Sequence, residues 1–134
     1  SDGLGLGDNA KSALVTRGLA EMTRLGTALG GRAETFQGLS GVGDLIVTCY
    51  SAYSRNNRVG KLIGEGKKID DIVNSMNMVA EGVPNTESFH ESTNRNGVEA
   101  PIINEAYSVI INGKDPAQAL EDLLARDPRP ETDQ

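Results

Sequence analysis

The densest group of polar residues in this sequence lies at residues 54–58, which read SRNNR. A helix that begins here would present free backbone N–H groups at its positive dipole end, and the guanidinium of Arg55 would add a two-pronged donor. Together with Ser54 and the amide of Asn56, these groups could bind a phosphate or another small anion. The alternative is an ordinary capped helix start with solvated charges, which the pattern taken alone favours.

A second candidate is Asp44, which leads the apolar run DLIVTCY at residues 44–50. A run this short fits a buried strand or a helix, and the helical character of its neighbours favours a helix. In a helix, Asp44 and Thr48 would lie one turn apart on one face. The carboxylate is then either an N-cap, which the sequence alone favours, or a buried acid with a chemical role.

Alternating glycines open the chain in SDGLGLGDNAK and raise the question of a dinucleotide-binding loop. Such a loop has the pattern G-x-G-x-x-G between a strand and a helix. Here the spacing is G-x-G-x-G, a helical pattern follows, and nothing strand-like precedes it in the chain. We therefore predict a tight, glycine-dependent turn that leads into a long helix.

The remaining reactive side chains predict no further site. His90 has no Asp, Cys or second His at metal-ligand spacing, so we expect a residue on a helix surface and no metal site. Cys49 is expected in the core rather than as a nucleophile, and the methionines are expected to fill the core. The segment VAEGV at residues 79–83 is typical of a helix start with one acidic residue, and it indicates no function by itself.

Composition limits the classes of partner. The chain has 134 residues and a formal net charge of −6, which argues against nucleic acid because phosphate neutralisation needs a basic face. No apolar run approaches the roughly 18 residues of a membrane span, and no secretory signal is visible. The single cysteine suits a reducing, cytoplasmic environment. Because the chain starts at Ser1 without Met, we expect it to be a fragment.

Hydrophobic periodicity predicts helices almost throughout. The helical segments are predicted at about residues 8–30, with Asp8 or Asn9 as the cap, and at 44–50, 54–63, 69–76, 83–94, 101–112 and 116–124. Without a secure strand, the fold class is all-α. We predict one helical domain over residues 1–127 and a frayed, proline-rich tail over residues 128–134.

Four blocks of this sequence resemble the C-terminal domain of bacterial-type NAD(P)-dependent glycerol-3-phosphate dehydrogenases. They read DGLGLGDNAKSALVTRGLAEMTRLGTALGG, FQGLSGVGDLIVTCYSAYSRNNRVG, VAEGV and EAPIINEAYSVIINGKDPAQAL, and they span nearly the whole chain in the family's order and spacing. The resemblance implies a helical substrate domain of the 6-phosphogluconate-dehydrogenase C-terminal type. In that family an α/β nucleotide-binding domain precedes it. The family's catalytic lysine lies in an ALKN-type segment before the matching region, so Lys11 does not correspond to it.

The resemblance also assigns roles to individual residues. The positions of Ser54, Arg55 and Asn56 match residues that contact glycerol phosphate, and that of Arg55 also reaches the cofactor. Asp44 matches a substrate-site carboxylate that lies beside the catalytic lysine. A carboxylate at this position would favour the charged form of the lysine. Thr48 matches the residue that supports this carboxylate. A charged lysine can donate a proton to the ketone oxygen as hydride arrives at carbon.

By the same resemblance, Val79 and Glu81 border the cofactor across the domain cleft. We expect Asp44, Thr48, Arg55 and Glu81 to gather on one partly exposed side, beside exposed apolar side chains that the other domain would cover. If Arg55 binds phosphate, Ser54 should lie at or next to a helix N-cap.

The implied activity is the interconversion of sn-glycerol 3-phosphate and dihydroxyacetone phosphate with NAD or NADP, bound mainly by the nucleotide domain, for phospholipid synthesis. The expected partners are that domain and the substrate, with a homodimer as an open possibility, and this chain alone should be inactive. Two alternatives remain: a non-catalytic helical interaction or oligomerisation module, and a related two-domain hydroxy acid dehydrogenase.

Overall fold

The computed structural model describes residues 1–51 and 53–126. Within these ranges the chain forms eight α-helices and one π-helical segment, and no strand, so the all-α prediction is confirmed. The α-helices are α1 (Asp8–Ala28), α2 (Ala33–Phe36), α3 (Asp44–Tyr50), α4 (Arg55–Gly64), α5 (Ile69–Ser75), α6 (Gly82–Arg95), α7 (Pro101–Ile110) and α8 (Pro116–Leu124), and the π-helical segment is Leu39–Gly43. None of the helices described here is both long and apolar enough to cross a membrane.

Two elements were not predicted. Helix α2 has four residues and the π-helical segment has five, which are too few for a periodic pattern. The predicted frayed tail at residues 128–134, and residue 127 at the end of the predicted domain, lie outside the described residues.

Local sequence signals set most helix ends. Ser54 caps α4, and Asp115 caps α8 by accepting a hydrogen bond from the backbone N–H of Gln118. Gly30, just past α1, has φ +98°, the left-handed conformation in which glycine is favoured. The expected cap of α1 by Asp8 or Asn9 is wrong, because Gly7 occupies that position without a side-chain hydrogen bond.

The opening glycines form the predicted turn. The backbone N–H of Gly5 donates to the Asp2 carbonyl at 3.1 Å, and Gly5 has φ +75°. Gly3 lies directly against α4, where a Cβ would come within 2.8 Å of the Gly64 Cα. The glycines therefore allow the first residues to turn back and pack against the end of α4 before α1 begins.

Helix packing divides the core into two regions. Val59, Ile72 and Ala80 are buried where α4, α5 and the segment before α6 meet. On the other side α1 contacts α7, and α7 contacts both α6 and α8. Helix α3 packs on α1 and α4, between the two regions. This arrangement places Thr48 and Asn56 on the wall of one cavity.

A buried carboxylate joins α1 to α7. Glu21 is 3% exposed and accepts hydrogen bonds from the backbone N–H groups of Ile102, at 2.7 Å, and Ile103, at 3.1 Å. These donors lie in the first turn of α7, after Pro101, which has no N–H to donate. Burial raises the pKa of Glu21, and the two backbone hydrogen bonds oppose this rise.

Replacing Glu21→Gln should destabilise the domain. One of the two carboxylate oxygens becomes an NH₂ group that faces a buried backbone donor, which costs roughly 1–3 kcal/mol. Urea denaturation at neutral pH measures the free energy of unfolding. Glu91→Gln, on an exposed part of α6, is the control and should change this free energy little.

A comparison of the wild type with Glu21→Gln at different pH values tests the raised pKa of Glu21. Because the pKa of Glu21 is higher in the folded chain than in the unfolded chain, the folded state binds the proton more tightly. The resulting stabilisation is complete below the ordinary glutamate pKa of about 4.3, and it is lost as the pH rises through the folded pKa. The stability of the wild type should therefore rise relative to Glu21→Gln as the pH falls through this window, and a constant difference would contradict the shift.

Candidate functional site

The first turn of α4 has the features of an anion-binding helix start. Ser54 is the N-cap, as predicted, and its Oγ accepts from the backbone N–H of Asn57 at 3.2 Å. The backbone N–H of Arg58 donates to the Ser54 carbonyl at 3.0 Å. Within residues 1–51 and 53–126, no group accepts a hydrogen bond from the N–H of Arg55 or Asn56. Both donors are therefore available to a ligand at the positive end of the helix dipole.

The guanidinium of Arg55 is exposed and forms no ion pair with a described carboxylate. Its Nη1 approaches the sulfur of Met78 at 3.6 Å, and a thioether is a weak acceptor. Met78 is 62% exposed, so the expectation that the methionines fill the core is wrong for this residue. The guanidinium retains donors that could bind a phosphate in the bidentate manner.

Asn56 connects α4 to the start of α6. Its Oδ1 accepts from the backbone N–H of Gly82 at 2.9 Å. A Cβ on residue 82 would lie 2.9 Å from that same oxygen, so a larger residue there would have to displace the Asn56 amide. Glu81, the N-cap residue of α6, and Val79 are exposed next to this contact in sequence. The segment 78–82 therefore lies against the first turn of α4.

Asp44 and Thr48 occupy successive turns of α3, and the prediction of a helix here is confirmed. Asp44 is exposed and Thr48 is half-buried. Thr48 and Asn56 line one cavity of about 340 Å³, whose walls are mainly apolar. The apolar lining comes from α1, α3 and α7, through Leu14, Val15, Leu45 and Ile102. Thr48 of α3 and Asn56 of α4 thus face the same cavity.

The structure links the predicted residues to different degrees. Arg55, Asn56 and the segment 78–82 are in direct contact, and Thr48 shares a cavity with Asn56. No hydrogen bond or ion pair in the described part of the chain joins Asp44 to Arg55 or to Glu81. The catalytic, substrate and cofactor roles assigned to these residues remain predictions.

Sequence reasoning missed a polar network that Asp2, Lys11 and Asn57 form next to the first turn of α4. Asp2 Oδ2 accepts from Lys11 Nζ at 2.8 Å and from Asn57 Nδ2 at 3.0 Å. Lys11 also lies over the Tyr50 ring, 4.3 Å from its centroid. No sequence signal connects positions 2, 11 and 57, because their approach depends on the tertiary packing of the first turn on α1 and α4. Lys11 is therefore held by a carboxylate and an aromatic ring of this chain.

The other reactive side chains show no chemical site. Cys49 is half-buried, and burial raises the pKa of its thiol, so the neutral form is favoured. His90 stacks on Tyr107, with ring centroids 3.9 Å apart, and its Nδ1 pairs with Asn104 Oδ1 at 3.1 Å. Among the described residues no group of His, Cys, Asp and Glu could hold a metal ion.

Several large apolar side chains are exposed near these positions. Val47 is 65% exposed, Tyr53 is 96% exposed and Val79 is 61% exposed. With Ile46 and Met78 they form what we call the exposed apolar set. In sequence, these residues flank Thr48, Ser54 and Glu81. One of them, Met78, contacts Arg55.

Comparisons with known proteins show the family of this chain. A family model described as NAD-dependent glycerol-3-phosphate dehydrogenase C-terminus matches residues 1–121. A glycerol-3-phosphate dehydrogenase (NAD(P)+) of Geobacillus kaustophilus is 55% identical over 133 residues, which cover 99% of this chain and 39% of the relative. One of Chlorobium chlorochromatii is 53% identical over 133 residues, covering 99% of this chain and 40% of the relative.

A solved structure gives the same result. The crystal structure of glycerol-3-phosphate dehydrogenase from Coxiella burnetii superposes with a TM-score of 0.91 at 41% identity, covering 94% of this chain and 39% of that one. The chain thus spans about two fifths of the length of the relatives that it matches. It belongs to the family of NAD-dependent glycerol-3-phosphate dehydrogenase C-terminal domains.

Proposed function

We propose that this chain is the substrate-binding domain of an enzyme that interconverts sn-glycerol 3-phosphate and dihydroxyacetone phosphate with NAD(H) or NADP(H). The observation that carries the proposal is the first turn of α4. There an N-cap serine, two backbone N–H groups without acceptors among the described residues and an exposed arginine converge in a chain of this family. This set of donors suits a phosphate group.

Each site residue has a distinct part in the proposal. Arg55 binds the phosphate through its guanidinium, while Ser54 caps the helix and Asn56 fixes the first turn against Gly82. Asp44 and Thr48, one turn apart on α3, orient the catalytic lysine that a preceding nucleotide-binding domain would supply. A carboxylate beside that lysine favours its charged form, which can give a proton to the ketone oxygen.

The nicotinamide cofactor, when bound, supplies or takes up the hydride. The side chains of Arg55, Val79 and Glu81 fit a position at its border, because all three are exposed and Arg55 contacts Met78, the neighbour of Val79 in sequence. We place the main cofactor contacts in the nucleotide-binding domain.

The exposed apolar set supports docking of that domain. Side chains as exposed as Tyr53 and Val79 cost free energy in water, and covering them contributes about 25 cal/mol per Å² of apolar area. We propose that the nucleotide-binding domain covers them beside Arg55. We further propose a role in phospholipid synthesis, to which the family resemblance points, and a cytoplasmic location, with which the single cysteine is compatible.

Glycerol 3-phosphate should stabilise this chain against heat. A ligand present at about 100 times its dissociation constant stabilises a folded protein by about 2.7 kcal/mol, which here should raise the unfolding midpoint by about 5 °C or more. Differential scanning fluorimetry measures the shift, with glycerol and inorganic phosphate as comparison ligands. Arg55→Ala should abolish it, whereas Arg95→Ala, an exposed arginine on α6, should not. A shift that survives Arg55→Ala would place the phosphate elsewhere.

Arg55→Lys should weaken phosphate-substrate binding in the complete enzyme. Lysine keeps the charge but loses the planar pair of donors, at a cost of roughly 1.5–3 kcal/mol for one charge-assisted hydrogen bond. Steady-state kinetics should show the loss mainly as a higher KM for dihydroxyacetone phosphate. Unchanged KM and kcat in Arg55→Ala would remove this residue from the site.

The 134-residue chain alone should not turn over. It contains the proposed phosphate site but, by the family resemblance, neither the catalytic lysine nor the nucleotide-binding domain. Incubation with dihydroxyacetone phosphate and NADH should give no loss of NADH absorbance above the blank. Substrate-dependent loss of NADH would show that this chain carries a complete active site, contrary to the proposal.

A further inference from the structure

We propose that Asn57 is a positioning residue that fixes the phosphate-binding turn of α4, and hence Arg55, relative to α3 with Asp44 and Thr48. The inference rests on the proposed function, because it assigns Asn57 a role through that phosphate site. Asn57 itself does not touch the substrate in this scheme. Its effect is exerted through the direction and position of the first turn of α4.

The hydrogen bonds of Asn57 connect three parts of the chain. Its side-chain Nδ2 donates to the Cys49 carbonyl in the last turn of α3 at 3.0 Å, and to Asp2 Oδ2 in the opening turn at 3.0 Å. Its backbone N–H donates to Ser54 Oγ at 3.2 Å and completes the helix cap. One residue therefore satisfies a C-terminal carbonyl of α3 and closes the N-terminal turn of α4.

Between the two helices, Ser51 accepts two hydrogen bonds. The Ser54 N–H donates to its carbonyl and the Tyr53 N–H donates to its Oγ, both at 3.2 Å. In the described part of the chain, the Asn57–Cys49 bond is the sole side-chain hydrogen bond between α3 and α4. Beside the packing of α3 on α4, the amide of Asn57 is thus the polar contact that fixes the relative position of Thr48 and Arg55.

The acceptor Asp2 is itself held in place. Lys11 Nζ pairs with the same Oδ2 at 2.8 Å, and its ammonium lies over the ring of Tyr50. Hydrogen bonds from Lys11 and Asn57 hold the pKa of Asp2 below its usual value, so the carboxylate is ionised at neutral pH. A fixed, charged acceptor orients the Asn57 amide with one hydrogen toward α3.

The test is the dissociation constant of glycerol 3-phosphate, measured by calorimetry on the 134-residue chain, with an unfolding curve for each variant without ligand. Asn57→Ala should weaken binding about tenfold, as is typical when a group that orients a ligand-binding residue is lost. Asn74→Ala removes an exposed amide from α5 and should leave the dissociation constant unchanged.

A double-mutant cycle separates positioning from general stability. If Asn57 acts through Arg55, Asn57→Ala should weaken binding less in an Arg55→Lys background than in the wild type. An unchanged dissociation constant in folded Asn57→Ala would overturn the inference, as would the same fold-change in both backgrounds. If Arg55→Ala itself leaves binding unchanged, the proposed phosphate site fails and the inference fails with it.

A second variant covers the case in which Asn57→Ala does not fold. The double variant Asp2→Asn, Asn57→Asp exchanges donor and acceptor across their 3.0 Å contact, which restores that bond but not the one to Cys49. It should bind glycerol 3-phosphate more tightly than Asn57→Asp alone and less tightly than the wild type. Equal affinity in the single and double variants would contradict the role of Asp2 as the anchor of Asn57.

Discussion

Charged side chains of α1 hold the ends of other helices. Glu21 accepts from the first N–H groups of α7, Arg17 donates to the Leu123 carbonyl near the end of α8 at 3.2 Å, and Arg24 donates to the Glu99 carbonyl at 3.0 Å. Glu21 meets the positive end of α7 and Arg17 meets the negative end of α8, so these two contacts also match the helix dipole, whereas Glu99 lies in the segment before α7. Because few large side chains are fully buried, these directional bonds specify helix positions that apolar packing leaves loose.

Side-chain hydrogen bonds also connect α4 to its neighbouring helices. Asn57 holds the last turn of α3, and Asn56 accepts from the first turn of α6, so α4 is tied to both neighbours by amides. At its own N-terminus, however, the N–H groups of Arg55 and Asn56 find no acceptor within the described residues. A helix start that is fixed by its neighbours yet has unused donors is prepared for a ligand, because binding then costs little reordering.

The sequence predicted what depends on neighbours along the chain. The caps Ser54 and Asp115 act within three residues, so their signals are local, and the helical spacing of Asp44 and Thr48 was correct for the same reason. Contacts between distant positions had no such signal: Glu21 meets a helix 81 positions away, and Asn56 meets Gly82. The roles of the site residues came from family resemblance, since the pattern SRNNR alone favours an ordinary capped helix start with solvated charges.

Local charge would allow this acidic domain to receive the phosphate that we propose it binds. The chain carries a net charge of −6, which repels an anion at long range. Helix α4 reads RNNRVGKLIG and has no acidic residue. Its basic residues Arg55, Arg58 and Lys61 repeat every three positions and therefore lie along one side of the helix. All three are exposed, and they add to the positive helix end. Salt screens the distant carboxylates over about 8–10 Å, and the carboxylate of Asp2, which contacts Asn57, is paired with Lys11, so we expect the positive groups of α4 to dominate the field at its first turn.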